Sequence, residues 1–280
     1  MNRASTDNAA LLYAADWNFW PDGLDDEAIV GVTAALGLDG LELGVYEPDR
    51  ELAGDRMARL DRLARRYGVA VRMLLFSLPA GRWPGGAFTS AAGAPRARRA
   101  LRRVGEVAAD RGHDLVGVWP GADPGAAAAR AVIAEALAAA AADLEPLGVR
   151  LAVEPKPGTA VPTALDLAAI CDAGGSRNLG ILVDTGHELA AGTDLDTLPG
   201  LLGERVLHVH AGDADGDDPD ADLPAGRVHD LGPFLRGLAA RGYRGAVTPD
   251  CYGAVSAGLC TGERATRETR DHVRAATASA

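Results

Sequence analysis

The chain has 280 residues, 48% of them hydrophobic, and its 28 basic and 39 acidic residues give a net charge of −11. This length can bury one large core, and we expect a single domain over residues 1–280. Such an acidic chain repels phosphate backbones, which argues against a nucleic-acid substrate. No apolar run approaches the roughly 18 residues of a membrane span, no secretion signal is evident, and the three cysteines lack CxxC spacing. We therefore expect a cytoplasmic protein that binds neither membrane nor nucleic acid.

Eight short apolar runs alternate with amphipathic helical patterns along the chain. Several helical patterns end at a glycine that suits a helix C-terminus, as at Gly37, Gly68 and Gly148. Strand patterns that alternate with helices predict a parallel sheet, and eight such units predict an α/β protein with a single (β/α)8 TIM barrel. The predicted strands lie near Leu12–Trp17, Gly40–Val45, Val69–Phe76, Asp114–Trp119, Val149–Glu154, Leu179–Asp184, Val206–His210 and Ala246–Asp250.

Three longer segments separate some of these units. The alanine-rich stretch Ala126–Ala142 includes an apolar face, which predicts an outer helix of the barrel. The segments Leu78–Ala94 and Ala211–Val228 each follow a predicted strand. Connections of this kind lie at the carboxyl end of a barrel, where active sites form, so we expect both segments to border the site.

Each of the last four predicted strands ends in a side chain that can bind a metal ion: Glu154, Asp184, His210 and Asp250. Hard divalent ions prefer carboxylate oxygens, and an added imidazole shifts the preference toward Mn²⁺, Co²⁺ or Zn²⁺. Each residue alone is more simply a solvated polar group after a strand. Together they predict one metal site that leaves positions open for substrate oxygens. His208 shares the face of His210 and is expected to pack deeper in the barrel, and the alternative is that the two histidines exchange these roles.

Two further groups of polar residues follow the sixth and seventh strands. His187 lies three residues after Asp184, so a helical turn would bring both side chains to one side. The loop Asp213–Asp222 is strongly acidic, and most of its aspartates are expected to be solvated. Asp220 and Asp222 are the exceptions, for the reason that follows.

The whole pattern resembles the xylose isomerase-like superfamily of TIM barrels, and its motifs are most similar to those of the xylose isomerases. The resemblance extends from about Leu12 to Asp250. Its motifs are the run Glu154-Pro-Lys-Pro157, the segment Thr185–Gly192, the pair Asp220-Ala-Asp222, Trp119 after the fourth strand, and Gly85–Thr89 in the third loop.

This resemblance implies roles for individual residues. Lys156 would hydrogen-bond the substrate carbonyl oxygen as it becomes an alkoxide, and the metal-binding carboxylates Glu154 and Asp250 are further candidate catalytic residues. The implied substrate-binding residues are Trp17, Phe76 and Trp119, which would form an apolar wall, and His187. The implied ligands are Glu154, Asp184, His210 and Asp250 for a first metal, and Asp184, His187, Asp220 and Asp222 for a second.

The implied reaction is the interconversion of an aldose and a ketose by a 1,2-hydride shift. Negative charge develops on two substrate oxygens, and one or two ions of Mn²⁺, Mg²⁺ or Co²⁺ would stabilise it as Lewis acids. A cation such as Lys156, pre-positioned in a water-poor site, contributes about 3 kcal/mol by the measure of single oxyanion-donor deletions. The expected partner is a small sugar or polyol.

Four features depart from the xylose isomerase pattern. No histidine follows the second strand to open the sugar ring, although Glu42 or Tyr46 could take its place. His210 occupies a position where xylose isomerases have aspartate and the epimerases of the superfamily have histidine. Asp184 is one methylene shorter than the usual bridging glutamate. No long arm of the kind that joins xylose isomerase subunits follows the eighth unit, so their tetramer is not implied, while a homo-oligomer stays possible.

Other functions stay open on the sequence. A ketose 3-epimerase would use two carboxylates on opposite faces of the substrate carbon as acid and base. A dehydratase acting on an inositol-like ketone would use the same site. An abasic-site endonuclease of this superfamily binds three zinc ions with many histidines, whereas this chain has six and an acidic balance. A non-catalytic sugar-binding barrel would have no need of Lys156 or of so many ligands.

Overall fold

A closed parallel barrel of eight strands forms the centre of the molecule. The computed structural model describes residues 10–122 and 130–278. Each strand pairs in parallel with the next one along the chain, and the eighth pairs with the first, as the sequence predicts for a (β/α)8 barrel. The strands are β1 Leu11–Ala15, β2 Gly40–Val45, β3 Val71–Phe76, β4 Leu115–Val118, β5 Arg150–Val153, β6 Leu179–Asp184, β7 Val206–Ala211 and β8 Ala246–Pro249.

Helices cover the outside of the barrel. The predicted alanine-rich helix is present from Arg130, and residues 126–129 of that prediction lie outside the described residues. The helices are α1 Asp26–Ala35, α2 Pro48–Glu51, α3 Gly54–Tyr67, α4 Ala94–Asp110, α5 Arg130–Leu144, α6 Ala164–Gly174, α7 Thr185–Ala190, α8 Leu198–Leu202, α9 Gly232–Ala240, α10 Tyr252–Ser256 and α11 Gly262–Ala278.

The strands bury both of their faces, because successive side chains point to opposite sides of the sheet. One face packs against the helices and forms the larger core. The other face fills the barrel interior with a small cluster, and this cluster forms the floor beneath the site: Ala15, Trp17, Met73, Leu75, Ala152 and Leu182.

The strand register brings the candidate ligands to one level. Asp184, the last residue of β6, lies beside His210 of β7. The backbone N–H of Asp250 donates to the carbonyl of Ala211 at 3.0 Å, and that of Glu154 donates to the carbonyl of Val118 at 2.9 Å. Parallel pairing therefore places these side chains together at the carboxyl end of the barrel.

The long loop after β7 is fixed by one buried aspartate. The Asp213 carboxylate accepts the backbone N–H groups of Val228 and His229 at 2.8 and 3.0 Å, and its backbone pairs with Leu223. Asp213 is fully buried, so it does not share the solvated state predicted for most aspartates of this loop. It holds the two ends of the loop together beside the site.

Candidate metal centre and substrate cavity

Four of the predicted ligands converge at the carboxyl end of the barrel. One ligand atom from each of Glu154, Asp184, His210 and Asp250 lies within 4.8 Å of the other three. Glu154, Asp184 and His210 are buried, and Asp250 is partly exposed toward the cavity. Three carboxylate oxygens and one imidazole nitrogen at this spacing form a donor set that suits a divalent cation.

The His210 ring is oriented for metal binding. Its Nε2 lies 3.2 Å from Oε1 of Glu42, and its Nδ1 is a buried atom without a hydrogen-bond partner among the described residues. That nitrogen lies 3.4 Å from Glu154 Oε1, 3.8 Å from Asp184 Oδ2 and 3.5 Å from Asp250 Oδ2. Nδ1 therefore faces the three carboxylates. Burial lowers the pKa of His210, but the carboxylates of Glu42 and Glu154 raise it well above its ordinary value, so the ring is protonated without a cation, and a bound cation would replace the Nδ1 proton.

Glu42 itself holds a second histidine. Its Oε2 lies 3.0 Å from Nε2 of His208 and accepts the Thr248 hydroxyl at 2.8 Å. His208 therefore packs below the ligands, deeper in the barrel, as predicted. Nothing in the sequence pattern assigned this orienting role to Glu42, but a lone carboxylate inside an apolar strand is a signal that a buried partner exists.

Two tryptophans fix the outer oxygens of two candidate ligands. The indole N–H of Trp119 donates to Glu154 Oε2 at 2.6 Å, and that of Trp17 donates to Asp250 Oδ1 at 3.0 Å. Each carboxylate thus keeps its other oxygen for the centre of the cluster. Both rings line the cavity, as the predicted apolar wall requires.

Phe76 does not belong to that wall. It is completely buried between the barrel and the helices, where it packs edge-on against Trp83 at a ring distance of 6.0 Å. The neighbouring Leu75 points into the barrel and lines the cavity instead. The prediction placed the aromatic ring on the wrong face of β3, because successive side chains alternate between the two faces.

Lys156 lies at the side of the cavity. It is the only lysine of the chain, and its Nζ contacts Asp220 Oδ1 at 2.5 Å and lies 4.8 Å from the centre of the Trp119 ring. Burial alone would lower the pKa of Lys156, but the carboxylates of Asp220, Glu154 and Asp184 raise it above its ordinary value. The ammonium is therefore charged, and it lines the same cavity as Glu154 and Asp184.

The second predicted ligand set does not come together. Asp220 is 79% exposed and pairs with Lys156, while Asp222 accepts the backbone N–H of Gly253 at 3.0 Å. His187 Nδ1 lies 3.5 Å from Glu154 Oε1 and 4.0 Å from Asp184 Oδ2. Within residues 10–122 and 130–278, no metal-sized group contains His187, Asp220 or Asp222. The other group of suitable geometry, Glu42, His208 and His210, lies below the rim and is held together by hydrogen bonds. The described residues thus offer one metal position at the rim itself.

The carboxylates at this rim lie close together, so their negative charges repel one another. Burial raises the pKa of Asp250 to about 6, with His210 opposing the shift and Asp184 and Glu154 adding to it. Burial also raises the pKa of Asp222 to about 8, and the charges of Asp250 and Asp184 act in the same direction. A bound cation would relieve this repulsion.

The cavity above the ligands has a volume of about 460 Å³ and can hold a small polyol. Polar groups from several loops surround it. Tyr46, one of the two candidates for the missing ring-opening group, reaches this cavity, whereas Glu42 lies below it. The lining includes Trp17, Tyr46, Leu75, Ser77, Trp119, Lys156, His187, Asp222 and Tyr252.

Comparison with known proteins identifies the family. The family model described as xylose isomerase-like TIM barrel matches residues 30–276. The chain belongs to the xylose isomerase-like TIM barrel family. No curated protein sequence matches the chain.

Solved structures of this family share the fold. A xylose isomerase domain protein from Alicyclobacillus acidocaldarius is 23% identical with a TM-score of 0.75, over 96% of this chain and 98% of its own. An L-ribulose 3-epimerase is 18% identical with a TM-score of 0.76, over 97% and 95%. The IolI protein, whose structure holds a zinc atom, is 18% identical with a TM-score of 0.76, over 96% and 98%. In this xylose isomerase-like barrel, none of the described helices is long and apolar enough to cross a membrane.

Proposed function

We propose that the protein is a divalent-metal-dependent enzyme that interconverts isomers of a small sugar, with proton transfer at the carbon beside the substrate carbonyl. The observation that carries this proposal is the convergence of Glu154, Asp184 and Asp250 on the unpartnered Nδ1 of His210. Structural neighbours that act on sugars, among them the L-ribulose 3-epimerase, support the substrate class.

Glu154, Asp184, His210 and Asp250 would hold one cation, of Mn²⁺, Mg²⁺ or Co²⁺. When bound, the cation would act as a Lewis acid toward the carbonyl and hydroxyl oxygens of an open-chain sugar. Neutral His210, held through Nε2 by Glu42, would supply the only nitrogen. The remaining three ligands are carboxylates, whose negative charge favours a doubly charged ion.

Glu154 and Asp250 would move the proton. They follow β5 and β8, each has one oxygen directed to the ligand cluster, and each has the other fixed by an indole N–H. One carboxylate would enter the step ionised and take the proton from the substrate carbon, and the other would enter it protonated and give its proton to the opposite face. Proton exchange with solvent would then restore both groups. Trp17 and Trp119 would orient the two groups and exclude water from the reacting carbons.

Lys156 and His187 would bind the substrate. Burial raises the pKa of Glu154, whereas His210, His187 and the Lys156 ammonium lower it, and its pKa lies below the ordinary value. The Lys156 ammonium would donate to the substrate oxygen on which negative charge develops. The buried His187 ring lines the same cavity and would contact a substrate hydroxyl.

A 1,2-hydride shift between aldose and ketose is the second candidate. The specific observation in its favour is Lys156, because a fixed cation beside the substrate oxygens suits an alkoxide that forms without proton transfer to carbon. The residues implied for a second metal beyond Asp184, namely His187, Asp220 and Asp222, belong to no group of metal-binding geometry among the described residues, which favours proton transfer instead.

Deuterium incorporation distinguishes the two reactions. The protein loaded with Mg²⁺, Mn²⁺ or Co²⁺ is incubated in D₂O with a panel of aldoses and ketoses, and the chelated products are analysed by NMR. We expect an isomer that carries deuterium at the inverted or newly protonated carbon. Product without deuterium would favour the hydride shift, and a lack of turnover with every sugar would contradict the proposed function.

Variants of the two carboxylates provide the control. Glu154→Gln and Asp250→Asn remove both a ligand charge and a proton acceptor, and each is expected to abolish incorporation. Asp143→Asn changes a carboxylate of the helical layer that pairs with Arg98 and contacts none of the candidate ligands. Its incorporation rate is expected to stay within a few-fold of the wild-type rate.

A further inference from the structure

A second cavity, of about 600 Å³, lies at the carboxyl end of the barrel beside the substrate cavity. It is formed by the segment after β2, the loop after β3 and the first half of α4. Tyr46 is the one residue among those described that lines both cavities. The second cavity is an arginine groove, lined by Arg50, Arg82, Arg96, Arg99 and Arg103.

The arginine groove is cationic, although the chain as a whole has a net charge of −11. Its lining includes only two carboxylates, and one of them, Glu47, is shared between Arg82 and Arg50. Arg96 and Arg99 have no carboxylate oxygen within 4.0 Å among the described residues. Arg50 also pairs with Glu51 at 3.4 Å, and Arg103 pairs with Glu106 at 3.7 Å. The surplus positive charge of the groove therefore comes from Arg96 and Arg99.

Helix stability does not account for this arrangement. Arg96 and Arg99 lie near the N-terminus of α4, whose first turn contains no acidic residue. The helix dipole is positive at that end, so cations there are unfavourable. Arg96 is held over the buried Trp83 ring at 4.2 Å, which fixes its guanidinium in the groove without a carboxylate partner.

The chemistry of the groove favours a phosphate group. Guanidinium groups from three chain segments surround one space, and planar guanidinium forks bind phosphate oxygens in pairs. A dianion with three exposed oxygens can use several of these donors at once, whereas a neutral hydroxyl cannot.

The arginine groove adjoins the substrate cavity, so a phosphate group bound in the groove would lie next to that cavity. Both cavities are lined by Tyr46 and therefore meet at this residue, and Arg82 of the groove lies 5.7 Å from the centre of its ring. We propose that the arginine groove binds the phosphate group of a sugar phosphate whose carbonyl end lies at the metal ligands. This inference rests on the proposed function for the substrate cavity and adds the class of substrate.

Kinetics with matched substrates test the inference. The metal-loaded protein is assayed with xylulose and xylulose 5-phosphate, and with fructose and fructose 6-phosphate. We expect kcat/KM to be at least about 100-fold higher for one phosphate ester than for its parent sugar. In Arg96→Gln/Arg99→Gln, KM for that ester should rise at least tenfold with kcat nearly unchanged, while the constants for the parent sugar stay the same.

Arg102→Gln is the matched control, since Arg102 lies on the same helix, pairs with Glu106 and does not line the groove. It should leave all constants unchanged. Equal kcat/KM for esters and parent sugars, or equal loss for both in the double variant, would overturn the inference while the proposed function stands.

A binding measurement tests the arginine groove independently of catalysis. Calorimetric titration of the Mg²⁺-loaded protein with the same esters and with inorganic phosphate needs no turnover. Ester binding that weakens at least tenfold in Arg96→Gln/Arg99→Gln, but not in Arg102→Gln, would support the groove even if no sugar is converted. Inorganic phosphate that binds equally well to both variants, with no ester binding, would refute it.

Discussion

At the scale of single residues, Glu42 determines how the candidate metal ligand His210 is presented. One carboxylate oxygen holds Nε2 of His210 and the other holds His208 and the Thr248 hydroxyl. The negative charge of Glu42 is kept inside the barrel because the two histidines lower its pKa against the effect of burial. Partners of this kind fix both the tautomer and the direction of a metal-binding imidazole.

Replacement of Glu42 should therefore weaken metal binding without removing a ligand. In Glu42→Gln we expect the dissociation constant for Mn²⁺ to increase about 10- to 100-fold, the usual effect of losing such a partner. Thr248→Val removes a contact to the other oxygen and should have a smaller effect. Titration calorimetry measures both, and an unchanged constant in Glu42→Gln would show that His210 does not depend on Glu42.

The only lysine offers a second test at this scale. Lys156→Met should reduce turnover about 100-fold or more, in line with the loss of one oxyanion donor, while metal affinity stays close to that of the wild type. Steady-state kinetics and metal titration measure the two properties separately. Asp220→Asn removes only the outer partner of Lys156, so its turnover should fall less than tenfold. Equal losses in both variants would mean that the ion pair, and not the ammonium, matters.

The sequence predicts the positions of some of these residues better than those of others. Glu154, Asp184, His210 and Asp250 were predicted as ligands because each one ends a strand and parallel strands end at one rim. The position of Asp220 depends on how a long loop folds over Lys156, which no local pattern specifies. Phe76 was assigned to the wrong side because an apolar run, Met73-Leu-Leu-Phe76, does not reveal which of its alternating faces lines the barrel.

At the scale of elements, the short helix α7 connects local stability with the site. Asp184 ends β6 and caps α7, since its Oδ1 accepts the backbone N–H of His187 at 2.9 Å while Oδ2 faces the ligand cluster. A single side chain thus has two separable tasks.

Two substitutions separate these tasks. Asp184→Asn keeps an oxygen for the helix cap but loses the ligand charge, so we expect metal binding to fall sharply with little change in the unfolding free energy of the metal-free protein. Asp184→Ala should lose metal and also about 1 kcal/mol of stability, the usual contribution of a cap. Denaturant unfolding in the presence of a chelator measures the difference. Equal stabilities of the two variants would argue against the cap.

The predicted elements agree with the structure wherever the periodicity is strong. All eight strands were predicted, because apolar runs bounded by helical patterns leave little choice of architecture. The start of α1 also agrees with its sequence, because aspartate is a favoured N-cap residue and the side chain of Asp25 accepts the Ala28 N–H. The arginine groove could not be predicted, because its members come from α2, α4 and the loop between β3 and α4.

At the scale of the whole molecule, a buried carboxyl outside the candidate ligand set makes stability depend on pH. Burial raises the pKa of Asp16 to about 7, although the Gly44 N–H and Arg56 oppose the shift. Between about pH 4 and 7 the folded protein binds this proton more tightly than the unfolded chain. Stability from Asp16 is therefore present at low pH and lost as the pH rises through that window.

Asp16→Asn should remove this dependence. With both proteins freed of metal, we expect the unfolding free energy of the wild type to fall relative to that of the variant, by about 2–4 kcal/mol between pH 4 and 7. Urea unfolding at several pH values gives the two curves. Parallel curves would mean that Asp16 stays ionised throughout.

The central claim is that one divalent ion is held at the carboxyl end of the barrel by four side chains. Titration with Mn²⁺, followed by the electron paramagnetic resonance of the free ion, measures the number of bound ions directly. We expect one tightly bound ion per chain, and none in His210→Ala or Asp184→Asn. Two tight ions per chain, or binding that survives both substitutions, would contradict the account.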